Sequence, residues 1–175
     1  MMNWKILICF IATAFLSLET ATAQKSSEAS NEFSIEGAVR KPVTITLDSL
    51  KNYPTTSLDS LVITNHLGQR KSALKNLRVI PLKTFLDKVE IPAESPKQLS
   101  EYYFVFMATD GYKVVFSWNE IFNSRLGQEL YLICGKDGKR IENLDDRIAV
   151  ISAADLFTGR RYVKSLKKIV VKHAD

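Results

Sequence analysis

Tyr102-Tyr103-Phe104-Val105-Phe106-Met107-Ala108-Thr109-Asp110-Gly111-Tyr112-Lys113-Val114-Val115-Phe116-Ser117 decides the fold class. Two runs rich in β-branched and aromatic side chains are joined by Asp-Gly, a dipeptide that accepts the left-handed backbone of a tight hairpin turn. The reading is an antiparallel hairpin over 102–109 and 112–117, expected near the centre of a sheet. Ser117-Trp118-Asn119-Glu120 then has the spacing of a capping box, so the chain should turn into a short helix ending near Asn123.

Working outward, the same period of two recurs on both sides. Phe33, Ile35, Gly37 and Val39 alternate with polar residues, and Val43, Ile45 and Leu47 resume the alternation after Pro42. Asp48 is placed to cap a short helix that Pro54 stops. Residues 58–67 read as a strand, Gly68 as a turn and 70–77 as the returning strand. Leu82, Phe85, Leu86 and Val89 follow at i, i+3, i+4 and i+7, a helix with one buried face whose first turn suits Pro81. Beyond the hairpin, 130–135 and the chain from Arg140 flank a turn at Lys136-Asp137-Gly138-Lys139, and 147–152 and 168–172 complete about nine strands with three or four short helices. The fold class is α+β, mixed and sheet-rich.

The chain has 175 residues with 24 Lys+Arg against 19 Asp+Glu, a net charge of +5, and is 46% hydrophobic. Residues 1–23 have the order of a secretory signal: Lys5, an apolar run from Ile6 to Leu18, and Ala21-Thr22-Ala23 before Gln24. That run is too short to span a bilayer, so the mature protein is expected to be exported, periplasmic or secreted, and not membrane-spanning. Residues 24–32 are polar and Ser-rich and read as a flexible lead-in, and 33–175 as one domain. Removal of Cys9 with the leader leaves Cys134 as the sole thiol, in the apolar run Leu130-Tyr131-Leu132-Ile133-Cys134, where a buried inert thiol is expected.

Residues 24–175 contain two histidines, His66 and His173, and no H-E-x-x-H, paired C-x-x-C, glycine-rich phosphate loop or nucleophile elbow. Zinc hydrolase, dithiol, nucleotide and α/β-hydrolase chemistries therefore lack their groups, and neither zinc nor haem is expected. His173 lies two residues from the end and reads as a tail residue. His66 closes an apolar strand just before Gly68, a position open either to a structural or to a site histidine. Gly159-Arg160-Arg161-Tyr162-Val163-Lys164 is the densest basic stretch, suited to an anion or to a solvated face. A basic run this short excludes nucleic acid as the natural partner.

The order of these segments resembles the molybdopterin-binding domain of the sulfite oxidase family. The matching pieces are Phe33-Ser34-Ile35-Glu36-Gly37-Ala38-Val39 with the strand from Pro42 to Leu50, Ile80-Pro81-Leu82-Lys83-Thr84-Phe85-Leu86, Asp110-Gly111-Tyr112-Lys113-Val114-Val115-Phe116-Ser117, and the closing Gly159 to Lys164. The resemblance spans roughly 33–172. It implies a sulfite-oxidase-type fold, a molybdopterin cofactor and an oxidoreductase setting. In that family a cysteine in Cys-x-Gly-Asn-x-Arg ligates the metal. Here the matching stretch is His66-Leu67-Gly68-Gln69-Arg70-Lys71, so a neutral imidazole stands where the family has a thiolate. The resemblance therefore implies a pterin or other anionic ligand held by His66, Arg70, Arg160, Arg161 and Lys164 on one concave basic surface, with no catalytic residue and no metal ligand assigned. Either the domain binds the cofactor without sulfite oxidase turnover, or it is a non-catalytic cell-envelope binding module that kept the fold and lost the metal.

Overall fold

The computed structural model describes residues 28–175, and the leader expected over 1–23 lies outside the described residues. Among the described residues ten strands form two sheets. The first has the order β2-β1-β10-β5-β6, with β1 at Glu32–Gly37, β2 at Val43–Thr46, β5 at Tyr102–Ala108, β6 at Lys113–Ser117 and β10 at Leu166–His173. The second joins β3 (Thr56–Thr64), β4 (Arg70–Pro81), β7 (Leu130–Lys136) and β8 (Lys139–Arg140), with β9 (Ala149–Ser152) also paired to β7. The class is α+β and sheet-rich, with helices of one turn or little more: α1 (Leu47–Leu50), α2 (Lys83–Leu86), α3 (Trp118–Phe122) and α4 (Arg125–Gln128).

The hairpin forms as its sequence demands. Gly111 takes a φ of 90°, the Asp110 carboxylate accepts from Tyr112 N at 2.8 Å, and Tyr103 to Met107 pair with Ser117 to Lys113. Its position differs from the expectation: β6 is the outer strand of its sheet, and the inner neighbour of β5 is β10. The reason is that the chain's opening and closing strands run side by side, Ser34 to Gly37 against Lys168 to Val171 in parallel, and so take the middle. Lys113 on the open edge discourages further strand addition.

Three other expectations are adjusted, one by a local cap and two by tertiary pairing. Residue 48 is inside α1 rather than its cap, because the Thr46 hydroxyl accepts from Ser49 N at 3.2 Å while the Ser49 hydroxyl accepts from Thr46 N at 3.1 Å. Pro81 ends β4 instead of opening a long helix: Val79 and Ile80 pair with Ile133 and Leu132 of β7, and the ladder overrides the helical period until Lys83. Order begins before Phe33, since Ser30 is buried and bridges Arg147, and Asn31 O accepts from Leu47 N at 2.9 Å.

Phe33, Phe85, Phe104, Phe106 and Phe116 fill the larger core, between the first sheet and one face of the second. Each buried phenyl contributes about 1.5–3 kcal/mol relative to exposure. A smaller core of Leu77, Val79, Ile133, Leu144 and Ile151 covers the other face. β9 shows the division residue by residue: Val150 joins the larger core, and Ala149 and Ile151 join the smaller. The face of the second sheet toward the first is thus covered, and the smaller core covers part of its other face, while much of β3 and the start of β4 stay exposed.

Candidate functional site

At one end of the second sheet, residues 65–69 connect β3 to β4. Asn65 builds this turn: its side-chain oxygen accepts from Leu67 N at 2.9 Å and Gln69 N at 3.0 Å, and its amide donates to Gln69 Oε1 at 2.9 Å. Gly68 supplies the positive φ of 78°. His66 stands exposed on the tip, and Arg70, at the start of β4, is exposed beside it.

The basic segment reaches the same end. The 3-10 turn Thr158–Arg161 is fastened to β3 by the Thr158 hydroxyl, which donates to Val62 O at 2.7 Å and accepts from Thr64 N at 3.1 Å. Gly159 permits the approach, since a Cβ there would lie 2.2 Å from Thr64 O. Phe157 packs on Gly68 in turn. His66, Arg70 and Arg160 therefore belong to neighbouring segments on one edge.

Arg161 and Lys164 point elsewhere. Arg161 Nε donates to Asp155 Oδ2 at 2.8 Å, its NH2 pairs with Asp155 Oδ1, and NH1 reaches Glu120 Oε1 at 2.8 Å. The guanidinium also lies over the Phe116 ring at 4.4 Å. Glu120 meanwhile closes the α3 capping box, accepting from Ser117 N at 2.8 Å. Burial alone would raise the Glu120 carboxyl, but the hydrogen bonds from Ser117 and Arg161 outweigh it and hold the group below its ordinary value. Arg161 thus locks the 3-10 turn to α3 with its fork filled. Lys164 faces Asp146 at 4.0 Å and the Tyr162 ring at 5.4 Å.

The opposite end of β4 carries a cleft of about 510 Å³ lined by Leu50, Tyr53, Arg78, Cys134, Arg140 and Ile141 among others. Arg78 is eight steps along the strand from Arg70, roughly 25 Å at strand rise. Between Arg78 and Val79 the register to β7 slips, Gly135 pairing with Arg78 and Ile133 with Val79, so that Cys134 is the extra residue of a bulge. Burial pushes the Cys134 thiol up to about 12, against a smaller opposing pull from Arg78, so it stays protonated and unreactive at neutral pH. Arg78 and Arg140 are the residues that sequence inspection missed. The turn at Asp137-Gly138 already fixes Gly135 opposite Arg140, but the pairing of Arg78 with Gly135 is a long-range contact.

The donor chemistry does not fit a molybdenum centre of the sulfite oxidase kind. The matching position offers an exposed imidazole, the only thiol among the described residues, Cys134, lies by the far end of β4 and is held protonated, and Arg161 is occupied by two carboxylates. Among the described residues no group of three or more His, Cys, Asp or Glu side chains could hold a metal ion, and no helix is long and apolar enough to cross a membrane.

No protein-family description matches the sequence, and no curated protein matches it. Among solved structures, the fold is similar to that of the sulfane dehydrogenase SoxCD from Paracoccus pantotrophus, with a TM-score of 0.53 at 13% identity over 80% of this chain. The likeness covers 37% of that chain, so this protein corresponds to a little over a third of its length. At this identity the similarity is one of fold.

Proposed function

We propose that this chain is an exported, non-catalytic binding module built on the molybdopterin-domain scaffold of the sulfite oxidase family. The observation that carries the reading is the pair of facts about the expected site: His66 stands exposed on a self-contained turn, and Arg161, expected to share its surface, is tied instead to Asp155 and Glu120. The matching segments and the fold likeness to a sulfane dehydrogenase support the scaffold. Without a thiolate ligand the domain does not perform oxygen-atom transfer by the sulfite oxidase route.

A second reading is favoured by the exposed cations on that edge. Arg70 and Arg160 would attract the phosphate end of a pterin by charge-assisted hydrogen bonds without fixing a metal, with the His66 imidazole on the same edge. Molybdenum and pterin analysis of protein purified from its native compartment separates the two. The module is expected to carry far less than one molybdenum per chain and to turn over neither sulfite nor sulfoxide, while His66→Cys gains metal. Stoichiometric molybdenum with turnover in the unaltered protein would overturn the proposal, and pterin without metal would select the second reading.

A further inference from the structure

The cleft at the β7 bulge has the make-up of a ligand site independent of the His66 edge. Arg78, Gly135 and Arg140 are successive cross-strand partners on β4, β7 and β8. The two arginines therefore stand two strand spacings apart, roughly 10 Å between backbones, over a residue with no side chain. Gly135 keeps the gap open: a Cβ there would lie 3.0 Å from Lys139 O and 3.6 Å from Arg78 Cβ. Neither arginine has a carboxylate partner among the described residues, and the hydrogen bond from Arg78 to Thr55 is a long 3.5 Å. The third cation on the rim, Lys51, is held by Asp48 at 2.7 Å and lies 3.9 Å from Glu142. Leu50 and Ile141 are buried in the cleft wall, and Tyr53 packs on Phe85 with ring centroids 4.8 Å apart at a tilt of 59°, so part of the lining is apolar. Its volume is in the range of small-molecule sites.

We propose that this cleft binds a small organic anion, with a single carboxylate or phosphate held between Arg78 and Arg140 over Gly135 and an apolar body against Leu50, Tyr53 and Ile141. A planar guanidinium on each side suits either head group, since both accept paired N–H donors. Cys134 is a wall of the site and takes no part in chemistry. The assignment stands whether or not the His66 edge binds a pterin.

The test is titration of the ¹⁵N-labelled protein with phenyl phosphate, benzoate and inorganic phosphate, following backbone amides. Phenyl phosphate or benzoate is expected to saturate shifts at Cys134, Gly135 and Ile141, and whichever binds tighter identifies the head group. Inorganic phosphate should bind at least tenfold more weakly than phenyl phosphate, for want of an apolar body. Arg78→Gln and Arg140→Gln should each weaken binding tenfold or more, whereas Lys113→Gln, which removes one charge on the β6 edge, should stay within twofold. Failure of both organic anions to shift those amides overturns the proposal. So does equal binding of inorganic phosphate, or equal weakening by Lys113→Gln.

Discussion

Arg161 and the pair Arg78 and Arg140 show what one side-chain type becomes in two settings. Arg161 comes from the densest basic run in the chain, yet its guanidinium is consumed by Asp155, Glu120 and the Phe116 ring. Arg78 and Arg140 are isolated in sequence, yet register brings them to either side of one glycine with no acid to neutralise them. Clustering along the chain therefore reports local charge, whereas availability depends on which carboxylates the fold delivers.

The strongest way to break the comparison is Arg161→Ala. It leaves Asp155 and Glu120 facing a lost partner in a partly buried setting, and urea denaturation should show a loss of about 2–4 kcal/mol. A loss below about 0.5 kcal/mol would mean that the knot is ornamental and its arginine free for ligand. Gly159→Ala should be next, at about 1–3 kcal/mol, because the new methyl overlaps Thr64 O and must push the 3-10 turn off β3. Its signature is a changed amide environment at Thr64 and His66 with the Cys134 cleft untouched.

Acid sharpens the same contrast. The Glu120 carboxyl is held below its ordinary 4.5 in the folded protein, so its contribution is present above about pH 4.5 and is lost as pH falls through the lowered folded value. Stability against urea should therefore decline with acidification in that window, and less steeply in Arg161→Ala, where the arginine no longer helps to hold the charge. Identical slopes would detach Glu120 from the knot. The smallest effect belongs to the cleft: Arg78→Gln and Arg140→Gln should each change stability by less than about 0.5 kcal/mol, as expected of exposed side chains with no carboxylate partner to lose. A loss above 1 kcal/mol from either would make it structural after all.

Much of the fold was legible where the signal is local. Asp110-Gly111 and the Ser117 to Glu120 capping box read directly, because neighbouring backbone groups decide them. Strand placement was not: β5 and β6 identify themselves as a pair, but nothing within them says that β10 will take the inner side. Pro81 misled for the same reason, since β7 supplies the ladder that keeps residues 79–81 extended. For the site, a shared surface for His66 and Arg160 was expected only from the family resemblance; the fold itself joins the 3-10 turn to β3 through Thr158 and Gly159. The filled fork of Arg161 depends on an acid from α3 and escapes any linear reading.

The parallel pairing of β1 with β10 bears on how the molecule is made. A ribosome delivers β1 early and β10 after every other strand, yet β10 lies between β1 and β5 in the sheet. Without that last strand no ladder joins β1–β2 to β5–β6, and Phe33, Phe104 and Phe106 lack part of their enclosure. Acquisition of the native state is thus a late, cooperative event with a large share of distant contacts, the kind that proceeds slowly and leaves the nascent chain open to chaperones.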